Sequence, residues 1–348
     1  MRQYFPALAG NRALSARLGE EMAAGAFSHA YIIEGPKGSG RHTLAREMAM
    51  AAVCRERSGT GALPCGECPD CRKIAAGFCP DFITVGREPG KATLGVEAVR
   101  RLREGIAALP NDLPLKIYVI EDAETMTVQA QNAFLLTLEE PPAFVLFLLL
   151  TTEATALLPT VRSRAPVFRM RPLTDGELSA FLLEKSSLAP AARALERQDP
   201  AEFAAILRMS GGYVGAAEIL LSPEARKAPD ARRKKILDLL AALGSHDGSD
   251  RVFLLLTGER DREEAKAFLA AWQTALRDLI LCCRAESPCP LFFPDSETAA
   301  TAAEPFTAPF LLSLYRAAGK ACSALLGNAN LSLTLTRLSG EVLRCKGL

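Results

Sequence analysis

The stretch Tyr31-Ile-Ile-Glu-Gly35-Pro-Lys-Gly38-Ser-Gly40-Arg41-His42-Thr43 constrains the fold most, because an apolar run, a glycine-rich turn and a helix start follow one another without a gap. In a phosphate-binding loop of pattern G-x-x-x-x-G-K-[ST], the glycines turn backbone N–H groups around a phosphate. A lysine then reaches the outer phosphates and a Ser/Thr hydroxyl holds Mg²⁺. Gly35 and Gly40 take the two glycine positions, with Gly38 between them. Arg41 stands at the lysine position and His42 at the magnesium-hydroxyl position, while Lys37 and Thr43 are out of register. A planar guanidinium does not replace a compact ammonium at a tight site, and imidazole is a poor ligand for hard Mg²⁺. Gly35, Gly38, Gly40, Arg41, His42 and Thr43 therefore read as a degenerate nucleotide-binding loop, retained in outline and not functional for hydrolysis.

Strand, helix and strand alternate over residues 29–170, which predicts an α/β domain with a mostly parallel sheet. Lys116-Ile-Tyr-Val-Ile120 reads as a strand that ends in Glu121-Asp122. Acids at such a strand end hold a metal and orient water in nucleotide hydrolases, and solvated capping acids fit the same pattern. Residues 129–140 read as a helix stopped by Pro141-Pro142. Residues 144–150 form an apolar run too short to span a membrane and suited to a strand buried on both faces. At its tip, Thr151-Thr152 offer hydroxyls to a phosphate.

Between the first helix and these strands lie Cys54, Cys65, Cys68 and Cys71, the last three in C-x₂-C-x₂-C spacing beside Pro64, Gly66 and Pro69. Four soft ligands in a compact excursion suit tetrahedral Zn²⁺, with reduced unligated thiols or a disulfide as the alternatives. Cys79 is an extra sulfur close by, and Cys282, Cys283, Cys289, Cys322 and Cys345 have no ligand spacing. Strand patterns stop after Arg171-Pro172, and short helices surround a Gly211-Gly212 break as far as Ser222-Pro223 and Ala228-Pro229. Long helical patterns then cover residues 230–284 and 310–348 around a Pro-rich loop at 287–294. Arg100, Arg101 and Arg103, and likewise Arg232-Arg-Lys-Lys235, read as solvated helix faces more readily than as nucleic-acid patches.

The 348 residues suggest two or three domains, divided here as 1–172, 173–228 and 229–348. No run reaches the ~18 apolar residues of a membrane span, and the N-terminus lacks a signal-peptide pattern, so a cytoplasmic protein is expected. With 41 basic and 40 acidic residues, a net charge of +1 gives no global attraction to nucleic acid.

Taken together, the motifs resemble the bacterial DNA polymerase III clamp-loader subunits of the AAA+ superfamily, most closely their delta-prime branch. The residues that carry the resemblance are His29-Ala-Tyr31 before Gly35-Pro36, the four cysteines, Ile120-Glu-Asp-Ala123, Asn132-Ala133, Leu138-Glu-Glu-Pro-Pro142, Thr160-Val-Arg-Ser163-Arg164 and Asn328-Ala-Asn330. The resemblance implies a RecA-like AAA+ domain with an inserted zinc module (54–71), a small helical lid and an all-α collar. It implies assembly with gamma/tau and delta subunits in a hetero-pentamer that loads a sliding clamp on primed DNA. By the same resemblance ATP is bound by a partner subunit, and Arg164 is an arginine finger acting on it in trans. Arg162 competes for that role, and a carboxylate pairing across a subunit interface is the plainer reading of Arg164.

Departures from the related gamma/tau motor pattern point away from hydrolysis. Beside Arg41 and His42, Glu121-Asp122 inverts the usual order of acids, and Gly215 stands where the lid's sensing arginine would be. Leu136 replaces a lysine and Ala165 a cysteine. An ATP-hydrolysing motor subunit is the rival reading. A zinc-dependent enzyme is disfavoured, since four cysteines leave no open coordination position.

Overall fold

Five apolar runs become strands: β1 (Ala30–Glu34), β2 (Phe82–Val85), β3 (Lys116–Ile120), β4 (Val145–Thr151) and β5 (Val167–Arg169). They pair in the order β2-β3-β4-β1-β5, every pair parallel, with Ile32 opposite Leu149 and Ile120 opposite Leu149 on the other side. The computed structural model describes residues 2–88, 90–222, 227–245, 247–284, 290–327 and 329–346. It divides into two units, Met1–Phe181 with Gly212–Ala216, and Leu182–Gly211 with Ala217–Leu348.

Helices α1 (Arg12–Ala24), α2 (Arg41–Val53), α3 (Pro69–Ala75), α4 (Val96–Ile106), α5 (Val128–Glu139) and α6 (Pro159–Arg162) accompany the sheet, and α7 (Asp175–Glu184) begins in the first unit and ends in the second. Successive strand residues point to opposite faces, so the sheet feeds two cores. Tyr31, Ile33, Leu146 and Leu148 pack with Leu18, Met22, Leu44 and Met48. Ile32, Phe147 and Leu149 pack with Val99, Leu102, Phe134 and Leu138 on the other side. This is the parallel α/β core that the sequence predicts. The sequence reading passes over β2 and β5, which have only four and three residues and lie at the sheet edges.

The second unit is helical: α8 (Ala189–Gln198), α9 (Pro200–Met209), α10 (Val214–Leu221, whose first turn belongs to the first unit), α11 (Lys227–Gly244), α12 (Ser249–Thr257), α13 (Arg262–Cys282), α14 (Ser296–Ala303), α15 (Ala308–Leu326) and α16 (Leu331–Cys345). Trp272, Leu276 and Leu314 are among its fully buried residues. The helical pattern expected over 230–284 resolves into three helices. Asp261 starts the third by accepting the Glu264 N–H at 2.7 Å.

The basic run 232–235 is not the solvated face expected. Arg232 forms a two-pronged pair with Glu264 (2.8 and 2.7 Å), Lys235 pairs with Glu259 and lies over Phe268, and Arg233 lies over Phe292. Acids and rings more than 20 residues away turn three of the four cations inward; only Lys234 is exposed. Pro223, Cys289, the first part of the Pro-rich loop and Asn328 lie outside the described residues.

Asp81, fully buried just before β2, ties that edge strand to the turn leading into β3. Its carboxylate accepts backbone N–H groups from Asn111 (2.9 and 3.0 Å), Asp112 (2.6 Å) and Leu113 (2.9 Å). Burial alone would raise its pKa, but these N–H groups together with Lys116 outweigh burial and hold it below the ordinary carboxylate value. A depressed folded pKa means stability that is present above the unfolded value near ~3.9 and is lost as pH falls through the folded value. Asp81→Asn is expected to cost about 2 kcal/mol at neutral pH, because an amide nitrogen would face a backbone donor. It should also flatten the acid-side fall in stability below roughly pH 4. Urea midpoints measured across pH check both, and a variant as stable as the parent at pH 7 would show that the strap is dispensable.

Candidate functional site

The phosphate loop sits between β1 and α2, with Gly38 and Gly40 at φ +81° and +90°. Part of the same unit, the segment Gly212–Ala216, lies directly on it. The Gly215 N–H donates to the Gly38 carbonyl at 3.0 Å. A Cβ on Gly215 would stand 2.6 Å from the Gly38 Cα, and one on Gly38 would stand 3.0 Å from the Ala216 nitrogen. The first distance is too short for any side chain facing backbone and the second is tight, so residue 215 is a close-approach glycine. Its backbone occupies the place where a side chain would otherwise reach over the loop.

Arg41 begins α2 and is only 4% exposed. Burial lowers its pKa, against the opposing pull of the Glu124 and Asp122 carboxylates. Its Nη1 has no hydrogen-bond partner within the protein, and neither has the buried Ser39 hydroxyl. His42 is exposed at the helix start, with Nδ1 3.4 Å from Glu121 Oε1. Asp122, in left-handed backbone at φ +45°, pairs with Arg87 at 3.0 Å. The two threonines at the tip of β4 do not stand free for a phosphate as the sequence suggests. Thr151 donates to the Glu153 carbonyl at 3.0 Å, and Thr152 to Glu124 Oε1 at 2.6 Å. The sequence thus locates the loop and its acids, and the structure shows them engaged with one another.

The four predicted cysteines converge. All four sulfurs lie within 4.8 Å of one another, close to the ~3.8 Å edge of a tetrahedron built on ~2.3 Å zinc–sulfur bonds. Cys54 caps the end of α2, and Cys68 caps the start of α3, where its sulfur accepts the Cys71 N–H at 3.5 Å. The Cys65 sulfur accepts the Cys68 N–H at 3.4 Å. Burial works against the Cys68 thiolate, but N–H groups of Arg55 and Cys71 outweigh it and bring this thiol down to about 7. Arg55 also grips the buried Asp70 carboxylate through 2.9 and 3.2 Å bonds, bracing α3 from outside. Soft donors at this spacing fit a closed, structural metal site. Cys79 is buried in the adjoining core and is not one of the four.

Arg164 follows α6 and is one-third exposed. Its Nη2 contacts Glu139 Oε1 at 2.7 Å, and its Nη1 contacts the Thr160 carbonyl at 2.9 Å. The carboxylate is in the same chain, at the end of α5, and not across an interface. Sequence reading missed this partner although it singled out the Leu138-Glu-Glu-Pro-Pro142 motif that contains it. The competing Arg162 is half-buried, with an Nε that has no partner within the protein. Between the two elements, the buried Gln131 amide accepts the Leu158 N–H at 2.7 Å and fixes α5 to the start of α6.

A family model described as DNA polymerase III, delta subunit, matches residues 10–174. The delta' subunit of DNA polymerase III from Escherichia coli K12 is 32% identical over 243 residues, covering 67% of this chain and 69% of that one. The chain belongs to the delta' family of DNA polymerase III subunits. It is also similar to the DNA polymerase III gamma subunit of Buchnera aphidicola from Schizaphis graminum, at 31% identity over 180 residues, 52% of this chain and 48% of the relative. The chain thus spans about half the length of the gamma subunits it matches. Among solved structures, a gamma subunit-related protein from Thermotoga maritima aligns over 94% of this chain and 99% of its own, with 19% identity and a TM-score of 0.37. Among the described residues no helix is long and apolar enough to cross a membrane.

Metal analysis of the purified chain is expected to find about one zinc per chain. A Cys65→Ser/Cys68→Ser double variant should lose that zinc and with it the protease resistance of residues 54–71. Full zinc retention by the double variant would reject the four-cysteine assignment.

Proposed function

We propose that this chain is a non-hydrolysing subunit of the bacterial DNA polymerase III clamp loader. In this reading it assembles in the cytoplasm with gamma/tau and delta subunits into a hetero-pentamer that places a sliding clamp on primed DNA. Residues 1–172 serve as its AAA+ domain, 173–228 as a helical lid and 229–348 as a helical collar. Structural Zn²⁺ on Cys54, Cys65, Cys68 and Cys71 holds the inserted module.

The observation that carries the reading is the buried Arg41. A motor subunit needs a mobile ammonium on the β/γ-phosphates and a hydroxyl on Mg²⁺. Here the corresponding side chain is a buried guanidinium within the field of the Asp122 and Glu124 carboxylates, and the next residue is an imidazole beside Glu121. The alternative, a gamma/tau-like ATPase, draws on the shared sequence with gamma subunits, but it leaves these positions without a phosphate or magnesium ligand. Membership of the delta' family favours the non-hydrolysing subunit.

Arg164 acts on ATP held by a neighbouring subunit. It follows the short helix α6, framed by Pro159 and Pro166, and its guanidinium is partly exposed. A planar fork suits the equatorial oxygens of a γ-phosphate, where charge develops during transfer.

The isolated chain is expected to show no ATP turnover in a phosphate-release assay. Hydrolysis that disappears in Arg41→Ala would reverse the reading in favour of the motor subunit. In the reconstituted complex, Arg164→Ala should leave zinc content and assembly intact. The adjacent site's DNA-stimulated hydrolysis should fall by a factor on the order of 10³ at most, with a smaller bulk loss because other sites keep their own fingers. Arg164→Lys should not restore it, since a point charge lacks the bidentate geometry. Normal ATPase and clamp loading in Arg164→Ala, with Arg162→Ala defective, would move the finger to Arg162.

A further inference from the structure

We infer that Glu139 is a positioning residue that holds Arg164 in reserve in the free subunit, so that the arginine meets a neighbour's phosphate only by exchanging this carboxylate for it. The inference rests on the finger reading proposed above and adds a means of regulating it.

Both partners are placed by one frame. Helix α5 starts on Thr127, whose side chain accepts the Ala130 N–H at 3.1 Å, and it ends at Glu139 because Pro141-Pro142 cannot continue it. The Gln131 amide docks this helix on Leu158, which starts α6, so Glu139 and Arg164 face each other without a flexible connection. The contact itself is one-sided. A single carboxylate oxygen lies 2.7 Å from Nη2, while Nη1 rests on the Thr160 carbonyl at 2.9 Å and near the Ser163 hydroxyl at 3.4 Å. The fork is thus divided between an acid and a carbonyl of its own short helix, and makes no bidentate pair.

Magnitudes favour a hold that can be released. The two side chains are 34% and 44% exposed, and a pair this open to water biases an equilibrium by about fivefold at most, the factor equivalent to ~1 kcal/mol. A phosphate carries more negative charge than a carboxylate and can take both arms of a fork of which Glu139 holds one, so it displaces the carboxylate. Until that happens, Glu139 opposes approach of the phosphate by like charge and keeps the guanidinium pointed along its own chain. Glu139 touches no reacting atom. It sets how much of the finger is available before the complex has closed on DNA.

Two measurements on Glu139→Gln test this, with Glu140→Gln as the neighbouring control. In the free subunit, phenylglyoxal labelling of Arg164, followed by peptide mass spectrometry, should be faster than in the parent by up to about fivefold. In the complex reconstituted with gamma/tau and delta subunits, the DNA-independent ATPase should rise by a similar factor while the DNA-stimulated rate stays as it was. Adding Arg164→Ala should return the double variant to the level of Arg164→Ala alone. Parental labelling and DNA-independent ATPase in Glu139→Gln, with Arg164→Ala still defective, would overturn the hold and leave the finger standing. An Arg164→Ala complex with parental ATPase would remove the finger and the hold together.

Discussion

Burial of β4 on both faces is the constraint from which the first unit follows. All seven residues from Val145 to Thr151 are inaccessible, so helices must cover the sheet on both sides and neighbouring strands must occupy both of its edges. Parallel neighbours require crossovers, which bring every strand back to the same end of the sheet. Gly35 after β1, Glu121-Asp122 after β3 and Thr151-Thr152 at the end of β4 therefore gather at one rim, although up to 117 positions separate them (152 minus 35). The site is a product of topology, assembled at the carboxyl ends of strands as open α/β sheets do.

What gathers at that rim is internally compensated. Asp122 and Glu124 act on the charge of Arg41, His42 lies beside Glu121, Arg87 pairs with Asp122, and Arg169 takes Glu34 at 2.5 Å. Several of the charges that a phosphoryl-transfer site directs at substrate are here paired with each other. The Gly38–Gly215 approach closes the loop from above by backbone alone, which accounts for a small residue at position 215 without reference to any ligand. The near-equal numbers of acids and bases in the chain have the same character locally: the run 232–235 looks like a free basic patch and is largely taken up by Glu264, Glu259 and two aromatic rings.

Features written in short windows were legible in the sequence. The strand–loop–helix at 31–43, the strands at 116–120 and 145–151 and the cysteine spacing each depend on residues close together, and each forms where periodicity or spacing places it. Features that depend on distant partners were not. Nothing near Arg41 announces that it will be buried, because the carboxylates that act on its charge come some eighty residues later. In sequence Glu139 is one of two acids before a proline pair, with nothing nearby to point to Arg164, which lies 25 residues on. Short edge strands such as β5 carry too few residues for alternation to register, and the alanine-rich α14 has little apolar contrast to reveal its face. Asp81 gave no sign of its role, since the three N–H groups it gathers lie thirty residues away.

Helix α2 connects two of these regions, and its mechanics follow from its ends. It is buried at ten of its thirteen positions and is about 20 Å long by its rise per residue. At one end it leaves the loop that is pressed under Gly215, and at the other it runs into Cys54 among four sulfurs. A spar seated at both ends and gripped along its length cannot slide along its axis to register what lies in the loop. Occupancy of the loop and of the four sulfurs is then coupled through a rigid element, so a change at one end of α2 bears on the other as strain and not as a stroke.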